Sequence, residues 1–352
     1  MDLGNLVLLF LLIATGLFFY KYFSLITNKY KPKLLIDDEL KKPQAFHESP
    51  TLVTGGAGIF FSFLIVYFYF VLFKDLIFFE YLSFCTVFFI LGFSDDLKLN
   101  IRPKFRLLVM IAFLITLVIS NKFYIQNTGI AFLNRFLEID IFALFFICLC
   151  FLFIINGSNL IDGYNGLLGI HTFIILANLF FVNYFGGNYD LAFFILYGIL
   201  IITFFLQYNF PKATVFLGDG GSYFLGAFIA LSVIKTSVAN PSISPFYFCI
   251  LLFYLFFEVF FSFIRKIVIE KQSPLFPDKK HLHMLLYKIL LKKNNNKLKS
   301  NYHVSIIINL IYLIMIIPAI FMMTDGMFCK YYSMVFFIFY FFSYRIAYEK
   351  TK

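Results

Sequence analysis

Hydrophobic positions in this chain gather into eleven long stretches, near residues 3–20, 52–73, 76–93, 107–120, 139–155, 167–185, 191–207, 222–239, 246–264, 304–323 and 331–347. A helix that crosses a bilayer needs about 20 mostly apolar residues. The pattern therefore predicts a transmembrane helix for each stretch. The first lacks a basic start and a small-residue cleavage site, so it is expected to stay as a span rather than be removed as a signal peptide. One shorter pattern stands apart. Leu282, Leu285, Leu286, Ile289 and Leu290 follow i, i+3, i+4, i+7, i+8 spacing, with Lys288, Lys292 and Lys293 on other faces, which predicts an amphipathic helix at the membrane interface. The run NNNKLKSN at 294–301 reads as a mobile polar connector. The expectation is an all-α polytopic integral membrane protein with about eleven spans. It forms one membrane-embedded domain over 1–352, with polar loops at 24–51, 94–106, 156–166, 208–221 and 265–303.

Composition agrees. Apolar residues are 61% of the 352, and mean hydropathy is +0.88. A soluble domain could not bury that much apolar surface, so soluble classes are excluded. There are 55 Phe and no Trp, so interfacial aromatics are expected to be Tyr, as at Tyr20, Tyr22, Tyr81, Tyr331 and Tyr344. The five Cys, at 85, 148, 150, 249 and 329, form no CxxC pair and read as inert thiols.

Charge adds orientation. Of 29 Lys and Arg, 24 fall in alternate gaps (21–42, 98–106, 212, 265–299 and 345–352). Only five fall in the others, at Lys74, Lys122, Arg135, Lys235 and Lys330. The positive-inside rule puts the 24 in the cytoplasm, the N-terminus outside and the C-terminus inside. The formal charge of +10 is then a topology signal, not a nucleic-acid footprint, and it favours anionic head groups and substrates.

Acids are scarce, 19 in all, and they cluster with Gly, Asn and His in five gaps predicted to share the cytoplasmic side. Asp95 and Asp96 close the third stretch. Adjacent carboxylates near a bilayer suit a cation with oxygen ligands or a base, although a solvated helix end is the plainer alternative. Asn156, Asn159 and Asp162 are spaced i, i+3, i+6 on one helix face beside Gly157, Gly163 and Gly166. They could read a nucleotide, a sugar or a metal, or simply form a polar turn. Asp219 lies in Leu217-Gly218-Asp219-Gly220-Gly221-Ser222 before the eighth stretch, where glycines let backbone N–H groups approach a phosphate. Helix capping by Asp is the competing reading. His281 and His283 follow Pro277-Asp278-Lys279-Lys280 and could contact a diphosphate. Zinc is disfavoured, since no further His or Cys completes a site. Glu258, deep in the ninth stretch seven residues before Arg265, reads as a structural contact between helices. His171 and His303 read as packing or surface residues.

Taken together, these motifs resemble the polyprenyl-phosphate N-acetylhexosamine-1-phosphate transferases, glycosyltransferase family 4. The segments that carry the resemblance are His47-Glu48-Ser49-Pro50-Thr51 with Gly55-Gly56, Asp95-Asp96 with Lys104-Phe105, Asn156 through Gly163, Phe216 through Ser222, and Ser273-Pro274 through Pro277-Asp278 to His281-Leu282-His283. They occur in family order between about 37 and 290. Singly each is weak; five in order are specific. Three positions depart: Leu52-Val53 stands where members often have Pro-Arg, Met284 where many have a third His, and Asn165 where an acid is common.

The resemblance implies transfer of a sugar-1-phosphate from a UDP-N-acetylhexosamine to undecaprenyl phosphate or a similar polyprenyl phosphate, with release of UMP, in the bacterial cytoplasmic membrane. Mg²⁺ is the implied cofactor, with Mn²⁺ as a substitute. Asp219 would lead as metal ligand, with Asp95, Asp96 and Asp162 in support. Asp95, Asp96, Lys104, His281 and His283 form the implied catalytic set. His47, Asn156, Asn159, Asp162, Gly218 and Arg265 form the implied substrate-binding set. The bilayer is a partner, nucleic acid is not, and homodimer formation is left open. Within the family, the alternative is phospho-MurNAc-pentapeptide transfer. Outside it, a transporter of an anionic solute or lipid would need polar residues along a crossing path, and only Glu258 lies near mid-depth. A structural scaffold gives no reason for the grouped acids.

Overall fold

The computed structural model describes residues 3–23, 35–37, 50–99, 101–125, 127–273 and 278–352. All eleven apolar stretches are helical. In chain order, α1 is Leu3–Leu17, continued by a π turn at Phe18–Tyr22, and two short strands follow, β1 Ile36–Asp37 and β2 Thr51–Leu52. Next come α2 Gly55–Lys74, α3 Phe79–Asp96, α4 Pro103–Asn121, α5 Ala131–Leu137, α6 Asp140–Ile161, α7 Leu167–Phe185 and α8 Tyr189–Asn209. They are followed by α9 Gly218–Ala239, α10 Pro245–Leu251, α11 Phe253–Ile264 with a π turn at Arg265–Ile269, α12 Leu282–Asn294, α13 Lys297–Phe321 and α14 Gly326–Thr351. Among the described residues, eight of these are long and apolar enough to cross a membrane, and α10 with α11 makes a ninth if its 73° bend is taken within one span. The protein is thus a multi-pass, essentially all-α membrane protein.

The centre of the bundle is α9. Its apolar window is 72% buried, against 17% for α4. It packs against α2, α3, α6 and α7. The approach to α3 depends on glycine: a Cβ on Gly92 would run into the carbonyl of Asp219 and the amide of Gly220. At the bend at Leu252 the Tyr312 hydroxyl donates to the Leu251 oxygen at 2.5 Å.

Hydrogen bonds sort the connections into two ends. At one end, β1 pairs antiparallel with β2, Leu52 bridges Val215, and the amides of Gly55 and Gly56 donate to the Phe216 and Leu217 carbonyls at 3.0 and 2.8 Å. Asn209 accepts from Gly166 N, and Asn165 reaches Pro211 and Asn301. The other end holds a buried amide network of Asn183, Thr236 and Asn240, extended by Asn188. The polar motif residues that are described lie at the first end.

Three expectations are corrected. The short β pair was not anticipated. Residues 297–301 are not a connector but the first turn of α13, because the Asn296 side chain accepts from Lys299 N at 2.8 Å and caps that helix. Of the Tyr expected at interfaces, Tyr22 and Tyr331 are exposed, but Tyr20, Tyr81 and Tyr344 are buried, and Tyr81 donates to Ser232 inside the bundle.

Candidate active site

The start of α9 collects acids from three helices. Gly218 has φ +78°, and a Cβ there would lie 2.7 Å from the Asp96 carboxylate, so this tight entry requires glycine. Leu217, the N-cap, gives no side-chain cap. The cap comes from α3 instead: the two oxygens of Asp96 accept from Asp219 N at 2.8 Å and Gly220 N at 2.9 Å. Asp219 is thereby left with its carboxylate projecting from the first turn. Asn159 of α6 donates to its Oδ1 at 2.8 Å and to Ser222 Oγ at 3.0 Å. Arg106 of α4 lies 3.5 Å from Oδ2, forms an ion pair with Asp95, and sits over the Tyr223 ring. The Asp219 side chain is 39% exposed, so the cluster faces outward. Asp162, just past the end of α6, is held well above the ordinary carboxylate range by desolvation and by the charges of Asp219 and Asp96.

The second cluster surrounds the start of α12. His281 is its extended N-cap, and Leu282 begins the helix. His281 Nδ1 lies 3.1 Å from Glu258 Oε2, and Leu282 N donates to Glu258 Oε1 at 3.2 Å. The His281 and His283 rings are parallel, 5.4 Å apart with 2° between planes. His283 Nδ1 is 3.3 Å from the Tyr254 hydroxyl, and its Nε2 is buried with no hydrogen-bond partner among the described residues. Burial pulls His283 down to about 4. Asp278 is held at about 2, overcoming its own desolvation, by His281, Arg265 and Ser262. Arg265 pairs with Asp278 and with Glu270, and Glu270 also takes Lys280.

The α6–α7 turn touches both clusters. Asp162 feels the acids, and two residues on, the Tyr164 ring is 5.7 Å from that of His283.

Residues 78–237 match the family described as glycosyl transferase family 4. Over 236 residues the chain is 30% identical to the undecaprenyl-phosphate alpha-N-acetylglucosaminyl 1-phosphate transferase of Thermotoga maritima, covering 65% of each chain. It is 26% identical over 249 residues to the protein of that name from Escherichia coli, covering 68% of this chain and 66% of that one. Over this stretch the chain is similar to glycosyl transferase family 4. It is also 34% identical over 203 residues to the phospho-N-acetylmuramoyl-pentapeptide-transferase of Dictyoglomus turgidum, covering 54% of this chain and 61% of that one. The match spans 65% of the length of the Thermotoga relative and 54% of that of a probable undecaprenyl-phosphate N-acetylglucosaminyl 1-phosphate transferase of Bacillus subtilis.

The stretch matched to glycosyl transferase family 4 contains the whole acid cluster and stops short of the histidines. Asp95, Asp96, Asn159, Gly218 and Asp219 lie together in the structure, and Asp162 feels the charges of Asp219 and Asp96. Lys104 is exposed on the first turn of α4, and Arg106, two residues on, supplies the cation at the acids. Asn156 donates to Leu152 O within its own helix and not to Asp219. Arg265 is buried in its network with Asp278 and Glu270. His47 lies outside the described residues. Arg106 and Ser222 were not singled out from sequence, although both sit within or beside the motif gaps. Among the described residues, no three His, Cys, Asp or Glu are arranged to hold a metal ion between them.

Proposed function

We propose that this protein transfers a sugar-1-phosphate from a UDP-N-acetylhexosamine to a polyprenyl phosphate of the undecaprenyl type. An oxygen of the lipid phosphate attacks the β-phosphorus, the bond to the UMP oxygen breaks, and one phosphoanhydride replaces another. The observation that carries this reading is Asp219 at the start of α9, held by Asn159 and Arg106 beside Asp95, Asp96 and Asp162 at an outward-facing end of the bundle. Exchange between phosphates calls for positioning and charge neutralisation.

The donor set is hard oxygen, which fits Mg²⁺, with Mn²⁺ as a substitute. Mg²⁺ is commonly held by one or two carboxylates plus substrate phosphates rather than by an all-protein cage. Asp219 and Asp162 are the acids that would hold it, since Asp95 is paired with Arg106 and Asp96 with two backbone amides. When bound, the ion would neutralise diphosphate charge. Asn159 fixes the orientation of the Asp219 carboxylate. Asp96 locks the turn that carries it. Arg106 brings a positive charge to the same place, and His281 and His283 are assigned to the nucleotide diphosphate.

The 24-to-5 sorting of basic residues supports eleven spans, with this end in the cytoplasm of a bacterial cell. Reporter fusions at Lys74, Lys212 and Lys352 should read outside, inside and inside. The decisive assay supplies undecaprenyl phosphate with a panel of UDP-sugars and identifies the lipid product by mass. A hexosamine-phosphate adduct with UMP release is expected, and no lipid product with any donor overturns the reading. UDP-MurNAc-pentapeptide belongs in the panel, because the Dictyoglomus relative is a phospho-N-acetylmuramoyl-pentapeptide-transferase.

A further inference from the structure

Glu258 is a buried acid that the reaction leaves unused. It is 1% exposed, lies within α11, and a charge at that depth needs partners. Its partners are two parts of one turn on a different helix. One oxygen takes His281 Nδ1 and the other takes the Leu282 amide. The second bond replaces the side-chain cap that His281 does not provide for α12. The first has a chemical consequence. A carboxylate accepts, so Nδ1 carries a hydrogen, and Nε2 is the nitrogen left to face a ligand, donating to an anion when the ring also carries its second proton. Nε2 is 3.6 Å from Asp278 Oδ2, an ion-pair distance longer than a hydrogen bond, so a phosphate oxygen that reached it would compete with Asp278. His283 lies parallel to that ring, 3.9 Å from Glu258 through its Nδ1, with its own Nε2 unpartnered among the described residues.

We propose that Glu258 is a positioning residue for the transfer reaction: by accepting from His281 Nδ1 and from the Leu282 amide it fixes the His281 ring and supports its doubly protonated form, so that Nε2–H of His281 is held toward the phosphates of the nucleotide sugar. This rests on the function proposed above. A carboxylate that orients a working imidazole is a recurrent device, and its removal commonly costs about 10- to 100-fold. A merely structural staple would leave the His281 protonation and the pH profile untouched.

The test compares wild type, Glu258→Gln and Glu258→Asp in nanodiscs. It uses ¹⁵N-histidine spectra and initial rates from pH 5 to 9. The groups facing Glu258 are His281 and His283 of α12, Tyr254 of α11 and Tyr340 of α14, with Asp278 beyond His281. Gln offers one acceptor where the turn presents two donors. Glu258→Gln should shift the His281 Nδ1 resonance, leave His303 unmoved, lower kcat about 10- to 100-fold and shift the pH–rate profile. Glu258→Asp should recover part of both. Unchanged His281 resonances and pH profile in Glu258→Gln overturn the proposal, as does activity lost only in proportion to folded protein. If Glu258→Gln does not fold, the wild-type and Glu258→Asp spectra decide it: no hydrogen on His281 Nδ1 overturns it. A wild type that turns over no UDP-sugar refutes the reaction and leaves the spectra to report on Glu258 alone.

Discussion

The two clusters are built on one plan and differ in what they leave open. Each is a helix N-terminus capped by a carboxylate from a neighbouring helix: Asp96 of α3 caps α9, and Glu258 of α11 caps α12. At α9 the cap leaves Asp219 over a third exposed, with its countercharge, Arg106, shared with Asp95. At α12 everything is enclosed. His281 is 5% exposed, His283 0% and Glu258 1%, and the charges are matched within the network. The open cluster has more carboxylates than its one arginine can balance and suits a cation and a diphosphate. The closed one is pre-assembled, and its value lies in holding two imidazoles still. Burying a charge is affordable only when its partners are in place, so the closed cluster has little freedom to rearrange.

The largest break should come at the open cluster. Asp219→Asn keeps the shape and removes a charge, and transfer is expected to fall by about 10²- to 10³-fold while insertion and expression persist. Excess EDTA should abolish wild-type turnover, and added Mg²⁺ should restore it. A fully active Asp219→Asn enzyme would remove the centre of the site. Next are the histidines. His281→Ala and His283→Ala should each cost about 10- to 150-fold in rate, the worth of a hydrogen bond to a charged group. Met284→Leu, which swaps one buried apolar side chain for another, should stay close to wild type. Kinetics on the three variants compare the two faces of the same turn. A smaller effect separates two cations on α4. Arg106→Ala should slow transfer about tenfold, whereas exposed Lys104→Ala should change it less than about fivefold. The reverse order would restore Lys104 as the working cation.

The smallest effect is on stability. His283 sits near 4 against an ordinary 6.5, so the unfolded chain takes up a proton there first as pH falls. Stability is therefore full above about 6.5 and declines from there toward 4. Asp278, near 2 against 3.8, works in a lower window: its contribution is intact above 3.8 and is lost as pH drops toward 2. Melting curves in detergent should be flat above pH 6.5 and fall below it, and His283→Asn should flatten the upper part of that fall. The same slope in the variant would assign it elsewhere.

Much of this was legible in the chain. Apolar run length alone marks the long membrane-crossing stretches, since the bilayer requirement is one-dimensional, but not the short α5 at Ala131–Leu137. The α12 helix follows from its spacing, and the extended His281 leading into it explains how residues two apart share a face. What the sequence hides are the partners across helices. Nothing local tells that Asp96 caps a helix 123 residues later, that Arg106 rather than Lys104 turns inward, or that Arg265 spends its charge on Asp278. Asn156 and Asn159 look alike in sequence, yet Asn156 bonds its own helix and Asn159 reaches Asp219, because only the latter lies level with the start of α9. The helical fate of 297–301 turned on a single capping amide.

Gly92 gives the open cluster a mechanical property. Membranes differ in thickness, and spans respond by tilting. Where α3 and α9 meet backbone to backbone, with no side chain between them to deform, they can tilt only as one plate. Asp95, Asp96 and Asp219 ride on that plate and keep their spacing in a thin bilayer or a thick one. Glu258 rides on a helix bent by 73°, whose angle a change of thickness can open or close. Lipid composition should therefore reach this protein through the Glu258–His281 turn and leave the spacing of Asp95, Asp96 and Asp219 undisturbed.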